Sequence, residues 1–334
     1  MSIRVTLHND PSAFDALADE WTALLRRSPN DVFFLTPAYQ HAWWRNLGRG
    51  QLGLLAARAE GELVGVAPLF VLDDVLRVVG CFEVSDYLDW VTAAGQEEAV
   101  LAAFVEFIDS AAAPFWHALD LCNVHEGSPT LRLLPELARA RGWQVQTEVQ
   151  EVCPVVSLPA TWDDYLAALG RKDRHELRRK LRRAESDPDV AWYFVQPDDD
   201  LSQAAEDFLV LMAKSHADKE AFLTPQMRQF FRDLIHIAAD RRWLSLSFLT
   251  FRGRKLATYL NFRYNNRILS YNSGLDWEND PRLGAGAVLT GYLIRHAIEQ
   301  GHAAYDFMRG DEPYKYRYGG QDVSVNRIFI VRRR

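Results

Sequence analysis

Apolar positions along the chain follow two alternating periods, one of two residues and one near 3.6, and the switches between them mark strands and helices. Residues 3–7 read as a short strand, and Phe14, Leu17, Trp21, Leu24 and Leu25 share one helical face. Strands are predicted at 52–58 and 62–72, with Glu60-Gly61-Glu62 as the hairpin turn. A helix at 96–110, a strand at 115–122, a helix at 130–141 and a strand at 143–150 follow. The theme then repeats, with a long helix at 161–186, a strand at 190–195 and helices at 202–217 and 225–240. Three strands at 243–250, 255–264 and 267–273 are joined by the turn pairs Arg252-Gly253 and Asn265-Asn266. A helix at 285–300, a strand at 303–308, a short helix near 312–317 and a strand at 323–332 complete the pattern. The expected class is α/β, with mixed, mainly antiparallel sheets flanked by helices.

At 334 residues the chain is too long for one small core. The repeat places a boundary between domains at 1–150 and 151–334, with Pro154 and Pro159 bracketing the crossing. Its 48% hydrophobic residues exclude a disordered chain. A net charge of −7 supplies no global basic field for nucleic acid or an anionic membrane. Cys81, Cys122 and Cys153 are odd in number and widely spaced, so neither a disulfide framework nor a zinc pattern is expected. No apolar run reaches the ~18–20 residues that span a bilayer, and the first residues turn polar too early for a signal peptide. The expectation is a cytoplasmic protein without a metal.

Residues 266–301 carry the most information. A strand runs into a polar loop, then Gly284-Ala285-Gly286-Ala287, then a helix with Leu289, Tyr292, Leu293 and Ala297 on one face. Two glycines at a helix start let a large anion approach the backbone, where unpaired amides and the helix dipole favour phosphate. The rival reading is a tight turn. A dinucleotide fingerprint is rejected, because Leu289 stands where a third glycine belongs and too little chain remains for a doubly wound domain.

The second domain resembles the GNAT acyltransferases, which share this order of elements and bind the pyrophosphate of an acyl-CoA at the loop opening the central helix. Their loop reads Gln/Arg-x-x-Gly-x-Gly/Ala; here Pro281 holds the first position, Arg282 stands beside it, and Gly284 and Gly286 match. The segment from Tyr305 to Lys315, YDFMRGDEPYK, is similar to the ending of the GNAT group named for the cellulose biosynthesis protein CelD. Asn272-Ser273-Gly274-Leu275-Asp276, the basic helix 171–183 and Ser85-Asp86-Tyr87-Leu88-Asp89 resemble that group too. More distantly the chain is similar to Fem-type aminoacyl transferases. The resemblance implies two tandem GNAT-like domains, the first degenerate, and N-acyl transfer from acyl-CoA to an amine of a small or envelope-polysaccharide-related acceptor. Fem-type transfer from aminoacyl-tRNA and a non-catalytic binding module are the alternatives.

Acyl transfer to an amine needs a held carbonyl, a deprotonated amine and a proton for the departing thiolate. No Gly-x-Ser-x-Gly or His-Glu-x-x-His occurs, so serine hydrolysis and zinc proteolysis find no support. The resemblance makes Tyr314 the first choice for general acid, with Tyr316 and Tyr318 behind it; the rival is structural packing. Lys315 would neutralise phosphate or an oxyanion, or stand solvated on the surface. Asp276 is a base acting through water or a turn residue. Asp306, inside a strand, needs a partner, for which Arg309 and Lys315 are candidates. The helix 171–183 carries eight basic residues against Asp173 and Glu176, and Arg174 and Arg178 are its expected ligand contacts. In the first domain, Asp86, Tyr87 and Asp89 are candidate acceptor-binding residues or loop caps.

Overall fold

Tight turns set the strand pairing. Glu60 and Gly61 have φ of 51° and 89°, and Asn265 and Asn266 have 46° and 56°, the left-handed values that two-residue hairpin loops require. The computed structural model describes residues 2–81, 84–280 and 283–332. It forms two compact units: the chain up to Val152 together with the stretch from Val323 on, and Cys153–Asp322.

The first unit contains β1 (Ile3–His8), α1 (Ala13–Ala16), α2 (Ala18–Leu25), α3 (Pro37–Leu47), β2 (Gln51–Ala59), β3 (Glu62–Leu72) and β4 (Val75–Val78). It continues with β5 (Val91–Thr92), α4 (Glu97–Asp109), β6 (Ala118–His125), α5 (Pro129–Ala140) and most of β7 (Gln144–Ser157). β1 to β4 form an antiparallel meander, β5 pairs with β3, and β4 lies parallel to β6. A parallel pair needs a crossover, and α4 lies on it. Val100, Leu101, Phe104, Val105 and Ile108 form the buried stripe of α4. Gly65 lets that helix approach β3, since a Cβ there would stand 2.3 Å from Val100 Cγ1.

The second unit contains α6 (Trp162–Ala168), α7 (Arg171–Glu185), β8 (Val190–Phe194), α8 (Leu201–Ser215), α9 (Ala217–Phe222) and α10 (Pro225–Asp240). It continues with β9 (Leu244–Phe251), β10 (Arg254–Tyr264), β11 (Arg267–Leu275), α11 (Ala285–Glu299), β12 (Ala304–Asp306) and α12 (Pro313–Arg317). β8 to β11 are antiparallel neighbours, β11 is parallel to β12, and β12 pairs antiparallel with residues 155–157 of β7. α11 makes this crossover and is buried on nearly every side. The β10–β11 register shifts between Leu260 and Asn261, leaving Tyr271 without an opposite residue, a bulge that turns the end of β11.

Several expectations change. The helix predicted over 161–186 is two helices, broken at Leu169 and Gly170, whose ψ angles of 148° and 143° leave the helical range. Arg174 Nη1 reaches back to the Leu166 and Ala167 carbonyls at 3.5 and 3.3 Å, covering the exposed end of α6. α3, β4, β5 and α9 escaped the periodicity, being short or aromatic-rich. β13 (Gln321–Val331) pairs with β6 and falls mainly in the first unit. Hydrophobic pattern shows that a strand exists but not which distant strand it joins.

The cysteine expectation is overturned. Cys81 and Cys122, 41 residues apart, form a disulfide because parallel β4 and β6 bring the turn after one beside the other. Cys153 is free and buried. The cysteine pattern therefore does not identify a reducing compartment. Among the described residues no helix is long and apolar enough to cross a membrane, and no group of three or more His, Cys, Asp or Glu is placed to hold a metal ion.

Candidate active site

The site is built where α7 meets α11. A Cβ on Gly291 would stand 2.9 Å from Leu177 Cδ1 and 3.1 Å from Leu181 Cδ2, so the bare glycine permits the two helices to close. Burial of Leu177 and Leu181 contributes about 1.5–3 kcal/mol each. This contact sets Lys180 beside the start of α11, with its Nζ 3.4 Å from where a Gly284 Cβ would be.

Gly284 is left-handed, at φ 69° and ψ 49°. Asp280 caps the turn, its carboxylate accepting from the Leu283 and Ala285 amides at 2.6 Å each. The Val288 amide donates to the Gly284 carbonyl at 3.0 Å, and no described residue accepts from the amides of Gly286 or Ala287. Both residues line a cavity of about 420 Å³, as do Lys172, Lys180, Tyr314 and Arg317. Asp173 and Glu176 line it too, with Glu176 Oε1 3.8 Å from Lys180 Nζ, so its charge is mixed; the features that favour an anion are the positive end of the helix and the amides of Gly286 and Ala287. Gly286 also has a packing reason, since its Cβ would stand 2.8 Å from Leu275 Cδ2.

Phenols gather at the same helix start. The Thr290 hydroxyl lies 2.8 Å from both the Gly286 carbonyl and the Tyr259 hydroxyl, and the Tyr318 hydroxyl donates to the Ala287 carbonyl at 3.0 Å. Burial raises the pKa of Tyr259 and Tyr318 above the usual phenol range. Tyr314 keeps 38% of its surface exposed, yet its hydroxyl end is desolvated. Burial first, then Tyr259 and Glu312 nearby, push that hydroxyl up, so it stays protonated throughout the physiological range. Tyr316 is outside the cavity lining and donates to Asp322 at 2.9 Å.

The loop from Asp306 to Lys315 explains its own sequence. Asp306 is buried and accepts from the Met308 amide at 2.9 Å. Met308 and Gly310 have φ of 59° and 108°, curling the backbone inward. Lys315, 2% exposed, fills the curl: its Nζ donates to the carbonyls of Met308, Arg309 and Gly310 at 3.0, 2.6 and 3.0 Å and pairs with Glu312 at 2.9 Å. All three of its protons are engaged. Asp276 is likewise committed. Burial would raise its pKa, but Asn279, Arg254 and Lys214 at 2.7, 2.9 and 3.4 Å hold it below the usual carboxylate value. It does not line the cavity.

Residues 171–316 match the model of the acetyltransferase (GNAT) domain family. The fold is that of tandem GNAT proteins. FemX aligns with a TM-score of 0.68 at 12% identity, covering 98% of this chain and 97% of that one. L-PGS from Bacillus licheniformis aligns at 0.60 and 11% identity, over 94% and 91% of the two chains. A tandem GNAT protein from the clavulanic acid biosynthesis pathway aligns at 0.52 and 13%, over 98% of each. None of the curated proteins matches the sequence.

In the second unit, Gly286, Ala287 and Tyr314 meet at the cavity, with Gly284 and Ala285 in the turn beneath, while Arg282 lies outside the described residues. Arg174 is spent on α6, and Arg178 is exposed and does not line the cavity. The helix instead turns Lys172, Asp173, Glu176 and Lys180 inward. These lie on one flank of the Leu177–Leu181 stripe and Arg174 and Arg178 on the other, a distinction that helical periodicity contains. Tyr259, Thr290 and Arg317 were also missed, since nothing local marks them. Lys219 donates to Asn272 Oδ1 and the Ser273 carbonyl at 3.1 and 2.7 Å, and burial lowers its pKa to about 8. In the first unit, buried Asp89 accepts from Asn30 Nδ2 at 2.5 Å, from the Trp90 amide at 2.7 Å and from the Ser128 hydroxyl; burial raises its pKa to about 6. Tyr87 packs beside His125, with ring centroids 5.7 Å apart, and Asp86 is buried beside it.

Proposed function

We propose that the second unit moves an acyl group from an acyl-CoA thioester to an amine. The observation that carries this reading is the helix start at Gly286 and Ala287, whose amides have no acceptor among the described residues and which opens into a cavity lined by Lys172, Lys180 and Arg317, by Asp173 and Glu176, and by Tyr314. The diphosphate of the donor sits at the helix start, and its thioester extends toward the tyrosines. The amine nitrogen, neutral, attacks the carbonyl carbon; the C–N bond forms and the C–S bond breaks. The thiolate takes a proton from Tyr314, and the amine loses one to water at the mouth. Before that transfer the Tyr314 hydroxyl gives a hydrogen bond that strengthens as charge builds on sulfur, and the phenolate left behind regains its proton from solvent. Lys315 acts through the loop it gathers, and Asp276 through its turn.

The resemblance to the CelD group supports a sugar- or envelope-related amine as acceptor, and a cytoplasmic location fits a CoA donor. The test is a thermal shift with acetyl-CoA and longer acyl-CoAs. Stabilisation that Gly286→Glu removes is expected, because its Cβ would meet Leu275 and an added negative charge at the helix start repels the donor's phosphates. No stabilisation by any of them sinks the donor assignment.

One observation favours a second reading, transfer from aminoacyl-tRNA: Arg171, Arg178 and Arg182 stand exposed on α7. Salt-dependent tRNA binding that falls in Arg178→Ala/Arg182→Ala would support it, and salt-insensitive binding would remove it.

A further inference from the structure

Trp277 keeps 60% of its surface exposed while lining the cavity of the second unit. Such a side chain in water forgoes much of the free energy its burial would yield. Yet it is held. The indole Nε1 donates to the Ser215 carbonyl at 3.1 Å, so its one polar atom needs no water. The ring stands on a single 3₁₀ turn, Trp277–Asn279, and the residue before that turn is the buried carboxylate Asp276. Asp276, 4% exposed, takes Arg254 and Lys214 on one oxygen and Asn279 on the other. The same cavity presents Lys172, Lys180 and Arg317, with Asp173 and Glu176 among them, and it is lined by Gly286 and Ala287. A bare aromatic face, fixed in place, beside cations and open amides has the chemistry to take a flat base that carries phosphate.

We infer that Trp277 is a stacking platform for the aromatic base of a phosphorylated nucleoside, and so a specificity-determining residue of this site. The inference rests on the donor reading above, in which that nucleoside is the adenosine 3′,5′-bisphosphate end of CoA. The platform then separates donors by their nucleotide and leaves the thioester chemistry to the phenolic cluster.

Calorimetric titration of the full chain with CoA, 4′-phosphopantetheine and adenosine 3′,5′-bisphosphate tests it, in the parent protein, Trp277→Phe and Trp277→Ala. The parent is expected to prefer CoA over phosphopantetheine. Trp277→Ala lowers CoA affinity about tenfold to a hundredfold and collapses that preference, and it loses the bisphosphate. Trp277→Phe, which keeps a ring but no N–H, retains most of the affinity. Equal loss for CoA and phosphopantetheine in Trp277→Ala, or no loss for CoA, overturns the platform and leaves the donor reading standing. Binding of the bisphosphate but not of CoA keeps the platform and removes the donor reading. Binding of neither by the parent removes both.

Discussion

The two units carry the same crossover and open it differently. In each, an antiparallel meander ends, a helix follows, and the chain returns parallel to the meander's last strand, β4 to β6 in one and β11 to β12 in the other. The first unit's helix starts with Glu97 and Glu98, and Glu97 accepts from the Gly95 amide at 3.0 Å. The second unit's starts with Ala285, Gly286 and Ala287, carries no acid in its first turn and faces a cavity lined by Lys172, Lys180 and Arg317 as well as Asp173 and Glu176. Small residues serve both. Gly65 admits α4 against the sheet, whereas Gly286 and Gly291 leave room for an open helix start. The fold thus supplies a helix dipole twice: acids stand within the first turn in one unit, whereas in the other Asp280 takes the Leu283 and Ala285 amides from outside the helix and the proposed donor site lies at the next two.

The largest break of this contrast is expected from Lys315→Met, which leaves three curled carbonyls unpaired. Chemical denaturation should show a loss of about 3–5 kcal/mol in the second unit's transition. Tyr314→Phe tests the phenolic cluster, with kcat lower by about a hundredfold and KM little changed; an unaltered kcat would move the acid elsewhere. Lys180→Ala should weaken donor affinity about tenfold and flatten its salt dependence, whereas Glu97→Ala/Glu98→Ala should create no donor site in the first unit. The smallest signal comes from Asp89. Its pKa is raised to about 6 in the folded chain, so the native state holds a proton that the unfolded state has already lost between about pH 4 and 6. Stability from this group therefore falls as pH rises through that window and is level above it. Asp89→Asn should remove a slope of at most about 4 °C in Tm per pH unit.

Most elements were legible because their apolar periods are strong and their turns carry Gly or Asn. The α6–α7 break was not, since Arg171 to Glu185 continues the helical pattern and only Gly170 interrupts it. At the candidate site, Gly286 stood out by local spacing and Tyr314 by the family resemblance. Lys180 was hidden among eight like charges, and only its flank relative to Leu177 singles it out. The rest of the phenolic cluster is long-range: Tyr259 lies on β10 and Thr290 on α11, and pairing them requires the sheet first. Lys315 and Asp276 attracted attention as charges, but buried charges with every bond satisfied stabilise loops.

The returning strand has a consequence for synthesis. Val325 to Val331 pair with Ala118 to His125, and Arg327 grips Asp120 through two hydrogen bonds of 2.7 and 2.8 Å. On the ribosome, the earlier-made unit must wait with β6 uncovered while the whole of the later one emerges and folds. The part translated second is thus free to mature first, and the nascent chain is exposed to aggregation at β6 until its last strand arrives.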